Sequence, residues 1–261
     1  YGFSGKIIDA SIDLPKGFLI KNLTTEINFG KEIENGGFIA TIRKGSLFDL
    51  QLADSIINLK LKKNETIIKS LLHTNGEISF SQIKEISSLL GLNVNSFKDI
   101  NGKIDLKTKI NFNLGKKFKI KNLLYSMTGD IAHFAIDTEE KRIIKKYLPE
   151  YNSKIVLKNT NIKLFNSKSD LTTELDGLIK VKEHFDNFKI KKKYNYSKKS
   201  FDINGVLDLT NSKVEVPKLN YNKNYGKQSE LRFDIGFILN KQYNVKKLNF
   251  LAEESKIYLS N

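Results

Sequence analysis

The sequence predicts a mostly β fold, built on one long antiparallel sheet with two short helices. Three observations lead to this prediction. Apolar and polar residues alternate with a period of two over long stretches, these stretches follow one another across turn-like joints, and only two stretches show helical spacing. Because successive side chains of a strand point to opposite faces, each alternating stretch has one apolar and one polar face.

The longest alternating stretch covers residues 103–114 and predicts a strand of roughly 40 Å, at about 3.3 Å per residue. A later stretch, residues 231–239, shows the same pattern. Together the two stretches supply the candidate apolar lining: Ile104, Leu106, Ile110, Phe112, Leu114, Phe233, Ile235 and Phe237. Their apolar faces must be covered by something, either by a second layer of the protein or by a bound apolar ligand.

Shorter alternating stretches predict further strands. They cover residues 8–14, 23–29, 48–52, 201–209, 248–252 and 257–259. Joints such as Asn35-Gly36-Gly37 and Asn222-Lys223-Asn224 separate them. Several strands begin near a glycine, at Gly5, Gly102 and Gly205, and each glycine is either a hairpin residue or a bulge within a long strand.

Two segments have helical spacing. In residues 81–91, Ile83 and Ile86 recur at that spacing, with Ser81 as the predicted N-cap and Gly91 as the stop. In residues 138–148, acidic residues open the segment, lysines lie near its end and a proline follows, as suits a helix dipole. Both helices are predicted to cap the ends of the sheet.

The length of 261 residues suits one large domain or two small ones, and because the sequence has no clear domain boundary we expect a single elongated β-sheet segment covering residues 1–261. Hydrophobic residues make up 39% and charged residues 28%, so the chain can bury a core. No apolar run approaches the roughly 20 residues of a membrane-spanning helix, and the opening residues lack the pattern of a secretory signal. We therefore expect an internal segment of a larger protein, with any anchor or export signal outside it.

The residues that carry chemistry are sparse. Cysteine is absent, which removes disulfides, thiolate metal sites and cysteine nucleophiles. His73, His133 and His184 are far apart in the sequence, and no phosphate-binding loop, nucleophile elbow or dinucleotide motif occurs. The sequence therefore predicts a protein that is not an enzyme, with no catalytic residues, no metal and no cofactor.

The net charge of +15 is compatible with nucleic acid, anionic lipid or an acidic partner. Most lysines, however, alternate with apolar residues along predicted strands. The densest run, residues 189–199, interleaves lysines with Tyr194 and Tyr196. It has three interpretations: a solvated hairpin tip, a nucleic-acid contact or a headgroup contact at a membrane. The hairpin tip is favoured, and nucleic acid is not predicted as a partner.

One region carries a family resemblance. The strand Phe201–Thr210, with its Gly205-Val206-Leu207-Asp208-Leu209 core, leads into the segment 214–219, which ends in Pro217-Lys218-Leu219. Tyr221, Lys223 and Gly226 follow. This order resembles the AsmA-like envelope proteins of the YhdP and TamB type, which are bridge-like lipid transfer proteins. Many members have tryptophan where Tyr221 stands, and this chain has none.

The resemblance implies a long curved antiparallel sheet whose concave apolar face is an open groove, like a taco or half barrel. It implies a segment of a periplasm-spanning phospholipid transport protein that carries acyl chains between the inner and outer membranes of the cell envelope. Such a protein is periplasmic and anchored in the inner membrane by a part outside this chain. It contributes to outer membrane biogenesis, and contacts both membranes through parts outside this segment.

Three alternatives remain open at this stage. The first is a structural or adhesive β-sandwich domain with a closed core and no lipid cargo. The second is an outer-membrane barrel, whose strands also alternate over about ten residues, although two helices and the lack of tryptophan count against it. The third is nucleic-acid binding, which rests on charge alone.

Overall fold

The computed structural model describes residues 2–14, 18–30, 37–90, 97–116, 119–138, 145–149, 151, 153–180, 183–238, 243–253 and 255–260. Within these residues the secondary structure consists of seventeen strands, one α-helix and short helical turns. The elements are β1 Phe3–Leu14, β2 Phe18–Phe29, β3 Phe38–Leu47, β4 Leu50–Leu52, β5 Ser55–Leu61, β6 Thr66–Ile78, α1 Phe80–Leu90, β7 Phe97–Leu114, β8 Ile120–Thr138, β9 Lys154–Asn166, β10 Asp170–Lys180, β11 Phe185–Asn195, β12 Ser200–Asp208, β13 Val214–Val216, β14 Tyr221–Lys223, β15 Ser229–Ile238, β16 Tyr243–Ala252 and β17 Ser255–Ser260.

Fifteen strands form one sheet, which confirms the predicted mostly β fold and its long antiparallel sheet. The order is β1-β2-β3-β4-β6-β7-β8-β9-β10-β11-β12-β15-β16-β17, and β5 pairs with β3 and β6. Neighbours in the sheet are mostly neighbours in sequence, as expected for a meander. The remaining two strands, β13 and β14, form a small antiparallel sheet of their own.

The chain divides into two compact units. The first unit contains Tyr1–Ile78, Lys103–Gly129 and Phe165–Lys168. The second unit contains Ser79–Gly102, Asp130–Leu164 and Ser169–Asn261. Each unit is described by itself below.

Strand regularity is interrupted by bulges at Asn and Asp residues. The sequence Ile-Lys-Asn-Leu occurs twice, and its asparagines, Asn22 and Asn122, both have φ of 52°. At Asn22 the pairing of β2 with β3 shifts register. Asp9 in β1 and Asn159 in β9 also have positive φ, at 51° and 46°. Asn and Asp tolerate this left-handed conformation better than other residues with side chains, so these positions bend long strands locally.

The glycines of the repeated Gly-led units lie inside strands and are not hairpin residues. A Cβ at Gly102 would sit 2.1 Å from the carbonyl oxygen of His133, and one at Gly205 would sit 2.8 Å from the Phe233 ring. Both positions require glycine because a neighbouring strand or ring occupies the space of a side chain.

Some sequence-based boundaries need correction. Phe48 has φ of 55° and belongs to a turn, so the predicted strand 48–52 shortens to β4. Asn222 and Lys223 were predicted in a joint but belong to β14, because a short hairpin is inserted there. Leu239, the end of the predicted strand 231–239, lies outside the described residues.

The first predicted helix is confirmed as α1, which begins one residue before Ser81. The cap is Ser79, whose backbone N–H donates to Gln82 Oε1 at 2.8 Å. Gly91, the predicted stop, lies outside the described residues. The second predicted helix, over residues 138–148, starts inside β8, and its residues 139–144 lie outside the described part of the chain. Among the described helices, none is both long and apolar enough to cross a membrane.

Candidate functional site

In the first unit, β7 carries the predicted apolar lining on one face. Ile104 and Leu106 are buried, at 5% and 8% exposure, and Ile110, Phe112 and Leu114 are half-buried. The alternating residues on the opposite face are exposed: Lys103, Asp105, Lys107, Lys109 and Asn111. The predicted alternation is therefore realised in β7.

The neighbouring strand β6 fits this two-sided arrangement. Ser70 Oγ donates to the carbonyl oxygen of Ile110 at 3.3 Å, so the two strands lie side by side. On the polar face, His73 Nε2 lies 2.7 Å from Asp105 Oδ1, and Asn75 Nδ2 donates to Asp105 Oδ2 at 3.0 Å. On β6 and β7, these polar groups thus pair with each other on the face opposite Ile104 and Leu106.

In the second unit, β15 carries Phe233, Ile235 and Phe237 on one face, all half-buried. Residues that pair directly across antiparallel strands share a face, so the register extends this apolar face in both directions. On β12 it continues through Phe201, Ile203 and Leu207, on β11 through Phe188, Ile190 and Tyr194, on β10 through Leu171, Leu175 and Ile179, and on β16 and β17 through Val245, Leu248, Phe250 and Ile257.

The eight predicted lining residues therefore fall into two sets. Five lie in the first unit and three in the second unit. Within each unit the members share one face, as predicted. That all eight residues belong to one lining stays a prediction, because sequence periodicity assigns a residue to a face of its strand and not to a unit.

One end of the apolar face in the second unit is covered by the insertion between β12 and β15. Leu209, Val214 and Phe250 are buried together there. Tyr221 packs against this cluster, with its ring centroid 5.7 Å from that of Phe250. We call residues 209–228 the cap. It buries the part of the face that contains Phe250.

Away from the cap, the same face carries a row of aromatic side chains. The ring centroids of Tyr194 and Phe201 are 4.5 Å apart, and those of Phe201 and Phe237 are 4.7 Å apart. Tyr196, in the turn after β11, stacks edge-on against Tyr194 at 5.3 Å. These rings are spaced as aromatic pairs usually are, and most remain partly accessible.

A buried lysine holds the cap. Lys223 is 1% exposed, and its ammonium group donates to the carbonyl oxygens of Thr210, Asn224 and Lys227 at 3.0–3.2 Å. Burial lowers the pKa of Lys223, whereas the nearby carboxylate of Asp186 raises it. All three donors of the ammonium group are therefore matched by acceptors.

Asp186 ties the cap to β11. This carboxylate is 4% exposed, and it accepts hydrogen bonds from the backbone N–H of Asn211 at 2.9 Å and from Ser212 Oγ at 2.7 Å. Because a buried carboxylate needs such partners, the cap and strand stabilise each other.

Most of the residues on which the family resemblance rests lie in or next to the cap. Gly205 makes room for Phe233, Leu209 lies in the buried cluster, and Pro217 begins a single 3₁₀ turn. Tyr221 and Lys223 pack and anchor the cap. In this chain, the residues of the cap among them cover and anchor one end of the apolar face.

The lysine-rich run is a strand and a turn, and its strand lysines alternate between faces. On the face opposite the apolar one, Lys189, Lys191 and Lys193 pair with β10 carboxylates of Asp176, Glu174 and Asp170 at 2.8–3.5 Å. The predicted hairpin tip is therefore confined to residues 196–199. Three lysines that could have formed a basic patch are neutralised across the strand pair.

Depressions of about 640 and 670 Å³ lie over this charged face of the second unit. Asp176, Lys189 and Arg232 line both. Their walls combine acids and bases, so neither depression presents a field of one sign to a ligand.

The three histidines have different surroundings. His73 contacts Asp105, the His184 ring lies 5.7 Å from the Tyr225 ring, and His133 is exposed. Within the described ranges, no group of three or more His, Asp or Glu side chains is placed to hold a metal ion.

The contact between His73 and Asp105 yields a pH prediction. The hydrogen bond from His73, followed by that from Asn75, lowers the pKa of Asp105. Since the unfolded-state pKa of Asp is about 3.9, the carboxylate stabilises the fold above that value, and this contribution is lost as pH falls towards the folded-state pKa. We expect His73→Phe to raise the pKa of Asp105 in a carboxyl NMR titration. His133→Phe is the control, and an unchanged Asp105 titration in His73→Phe would contradict the assignment.

Two features of the second unit are not among those predicted from the sequence. One is the aromatic row of Tyr194 and Phe201, which the pairing of β11, β12 and β15 assembles. The other is Lys192, which alternation within β11 places on the face of Ile190 and Tyr194 and not on that of the other lysines. The placement of Lys192 could have been predicted, because side chains alternate between the two faces of a strand along residues 189–195.

Comparison with protein-family models, with curated proteins and with solved structures finds no match for this chain. The resemblance to AsmA-like proteins therefore stays a hypothesis, carried by the residues named above.

Proposed function

We propose that this chain is a segment of a phospholipid transport protein, in which apolar sheet faces carry acyl chains. The observation that supports the proposal best is the apolar face of the second unit. It extends over the six strands β10–β12 and β15–β17. Phe188 on this face is buried, but part of the surface stays accessible at Phe201, Ile203, Phe233, Ile235 and Phe237.

The energetics suit a lipid ligand. Each CH₂ group transferred from water to an apolar surface gains about 0.8 kcal/mol. An acyl chain on the face of Phe233, Ile235 and Phe237 therefore loses little relative to a bilayer. Apolar contacts are non-directional, so they impose no fixed register and permit sliding.

On this proposal the protein works in the periplasm, between the inner membrane that anchors it and the outer membrane. Both membrane contacts are made by parts outside the chain. This assignment rests on the resemblance carried by Gly205–Leu209, Pro217, Tyr221 and Lys223.

A structural β domain without lipid cargo is the second candidate. It is favoured by one observation in the first unit, where Ile104 and Leu106 are buried by the protein itself. If protein also covers Phe112 and Phe233 in the functional state, neither residue can meet lipid.

Photocrosslinking separates the two candidates. A benzophenone amino acid at position 112 or 233, in cells labelled with ³²P-phosphate, is expected to yield crosslinked phospholipid. The matched controls are positions 111 and 232, which are exposed on the opposite face of the same strands. Equal labelling at all four positions, or labelling at none, would reject the proposed transport function.

A further inference from the structure

The apolar face of the second unit contains two charged side chains among the described residues of β10–β12 and β15–β17. They are Asp186 and Lys192, both on β11. Asp186 is already matched by hydrogen-bond donors of the cap. Lys192 therefore stands out as the cation of this face.

Apart from Thr173, the neighbours of Lys192 on this face are apolar or aromatic. Thr173 and Ile203 are its direct cross-strand neighbours, and Ile190 and Tyr194 flank it on the same face of β11. Its ammonium nitrogen lies 4.5 Å from the centroid of the Phe201 ring. The side chain is exposed, yet protein atoms around the ammonium group desolvate it and lower the pKa of Lys192.

The neighbouring Lys191, unlike Lys192, has an acidic partner among the described side chains. Lys191, one residue away on the opposite face, lies 2.8 Å from Glu174 Oε1. For Lys192, no carboxylate of the described residues lies within ion-pairing distance. The Phe201 ring stabilises the ammonium group to some extent, but a charge-assisted hydrogen bond from that group to an anion would stabilise it more.

We propose that Lys192 binds the phosphate group of a phospholipid whose acyl chains lie on the surrounding apolar face. This proposal rests on the proposed lipid transport function and adds a headgroup contact to it. The ammonium group of Lys192 complements the negative charge of the phosphate. The apolar side chains next to Lys192 would contact the acyl chains of the same lipid. Thr173, directly opposite, places a hydroxyl donor on the same face for a second phosphate oxygen.

The test compares three soluble probes by isothermal titration calorimetry. They are dihexanoyl phosphatidylglycerol, dihexanoylglycerol and glycerol 3-phosphate, with both lipids below their critical micelle concentrations. We expect the wild-type chain to bind the phosphatidylglycerol roughly tenfold more tightly than the neutral lipid, which is about 1.4 kcal/mol. Lys192→Gln should remove this preference and leave binding of the neutral lipid unchanged.

Lys191→Gln is the matched control, because it removes the same charge from the opposite face and should keep the preference. Thermal unfolding followed by circular dichroism checks that both variants fold. If Lys192→Gln keeps the tenfold preference, the headgroup contact is wrong and lipid transport is unaffected. If glycerol 3-phosphate binds as tightly as the lipid, Lys192 is a general anion site and the proposal is overturned. If neither lipid binds the wild-type chain, both proposals fail.

Discussion

Replacing Lys223 with methionine is expected to lower the free energy of unfolding by about 3 kcal/mol, because methionine matches the length of lysine without its donors. The substitution leaves the carbonyl oxygens of Thr210, Asn224 and Lys227 without the ammonium group that now binds them. An unsatisfied buried acceptor costs more than the hydrogen bond itself contributes.

Urea unfolding measures this effect, and Lys227→Met is the matched control. Lys227 is exposed at its side chain, so its replacement should change the free energy of unfolding by no more than about 0.5 kcal/mol. Loosening of the cap should also expose the cluster around Phe250 and increase the binding of a fluorescent apolar dye. A Lys223→Met protein as stable as the wild type would show that the cap contributes little to the fold.

The sequence contained the information for strands and faces, because both depend on the order of apolar and polar residues along the chain. Segment 103–114 within β7 and segment 231–238 within β15 illustrate this. Helix α1 was equally predictable, since its apolar residues recur at the spacing of a helical turn. These features are local, and local periodicity is the strongest sequence signal.

The features that the sequence did not reveal depend on distant parts of the chain. The cap becomes recognisable only when Lys223 meets carbonyl groups on both sides of its hairpin, and when Asp186 reaches Asn211 from 25 positions away. The left-handed backbone at Asn22 and Asn122 was not predicted, because positive φ is compatible with Asn but not required by it. Alternation alone could not assign the eight lining residues to two units.

The two ends of the apolar face of β7 predict different tolerances to a charge. Ile104→Asp puts a carboxylate where the wild-type side chain is 5% exposed, so either an unpaired buried charge or an uptake of a proton must be accommodated. We expect a loss of about 4 kcal/mol or more, enough to unfold a domain of ordinary stability. Phe112→Asp puts the same group at a half-buried position, which water can reach, and should cost about 1–2 kcal/mol.

Chemical unfolding of the Ile104→Asp and Phe112→Asp variants tests this difference, with Phe112→Ala to separate lost packing from added charge. If Phe112 borders an open apolar face, the Phe112→Asp variant should fold. If Phe112 is instead covered by protein in the functional state, Phe112→Asp should unfold as completely as Ile104→Asp. Unfolding of both variants, together with no crosslink at position 112 in the otherwise wild-type chain, would favour the closed structural domain. A folded Phe112→Asp protein, together with a crosslink at position 233 and none at position 112 of the otherwise wild-type chain, would instead confine lipid contact to the second unit.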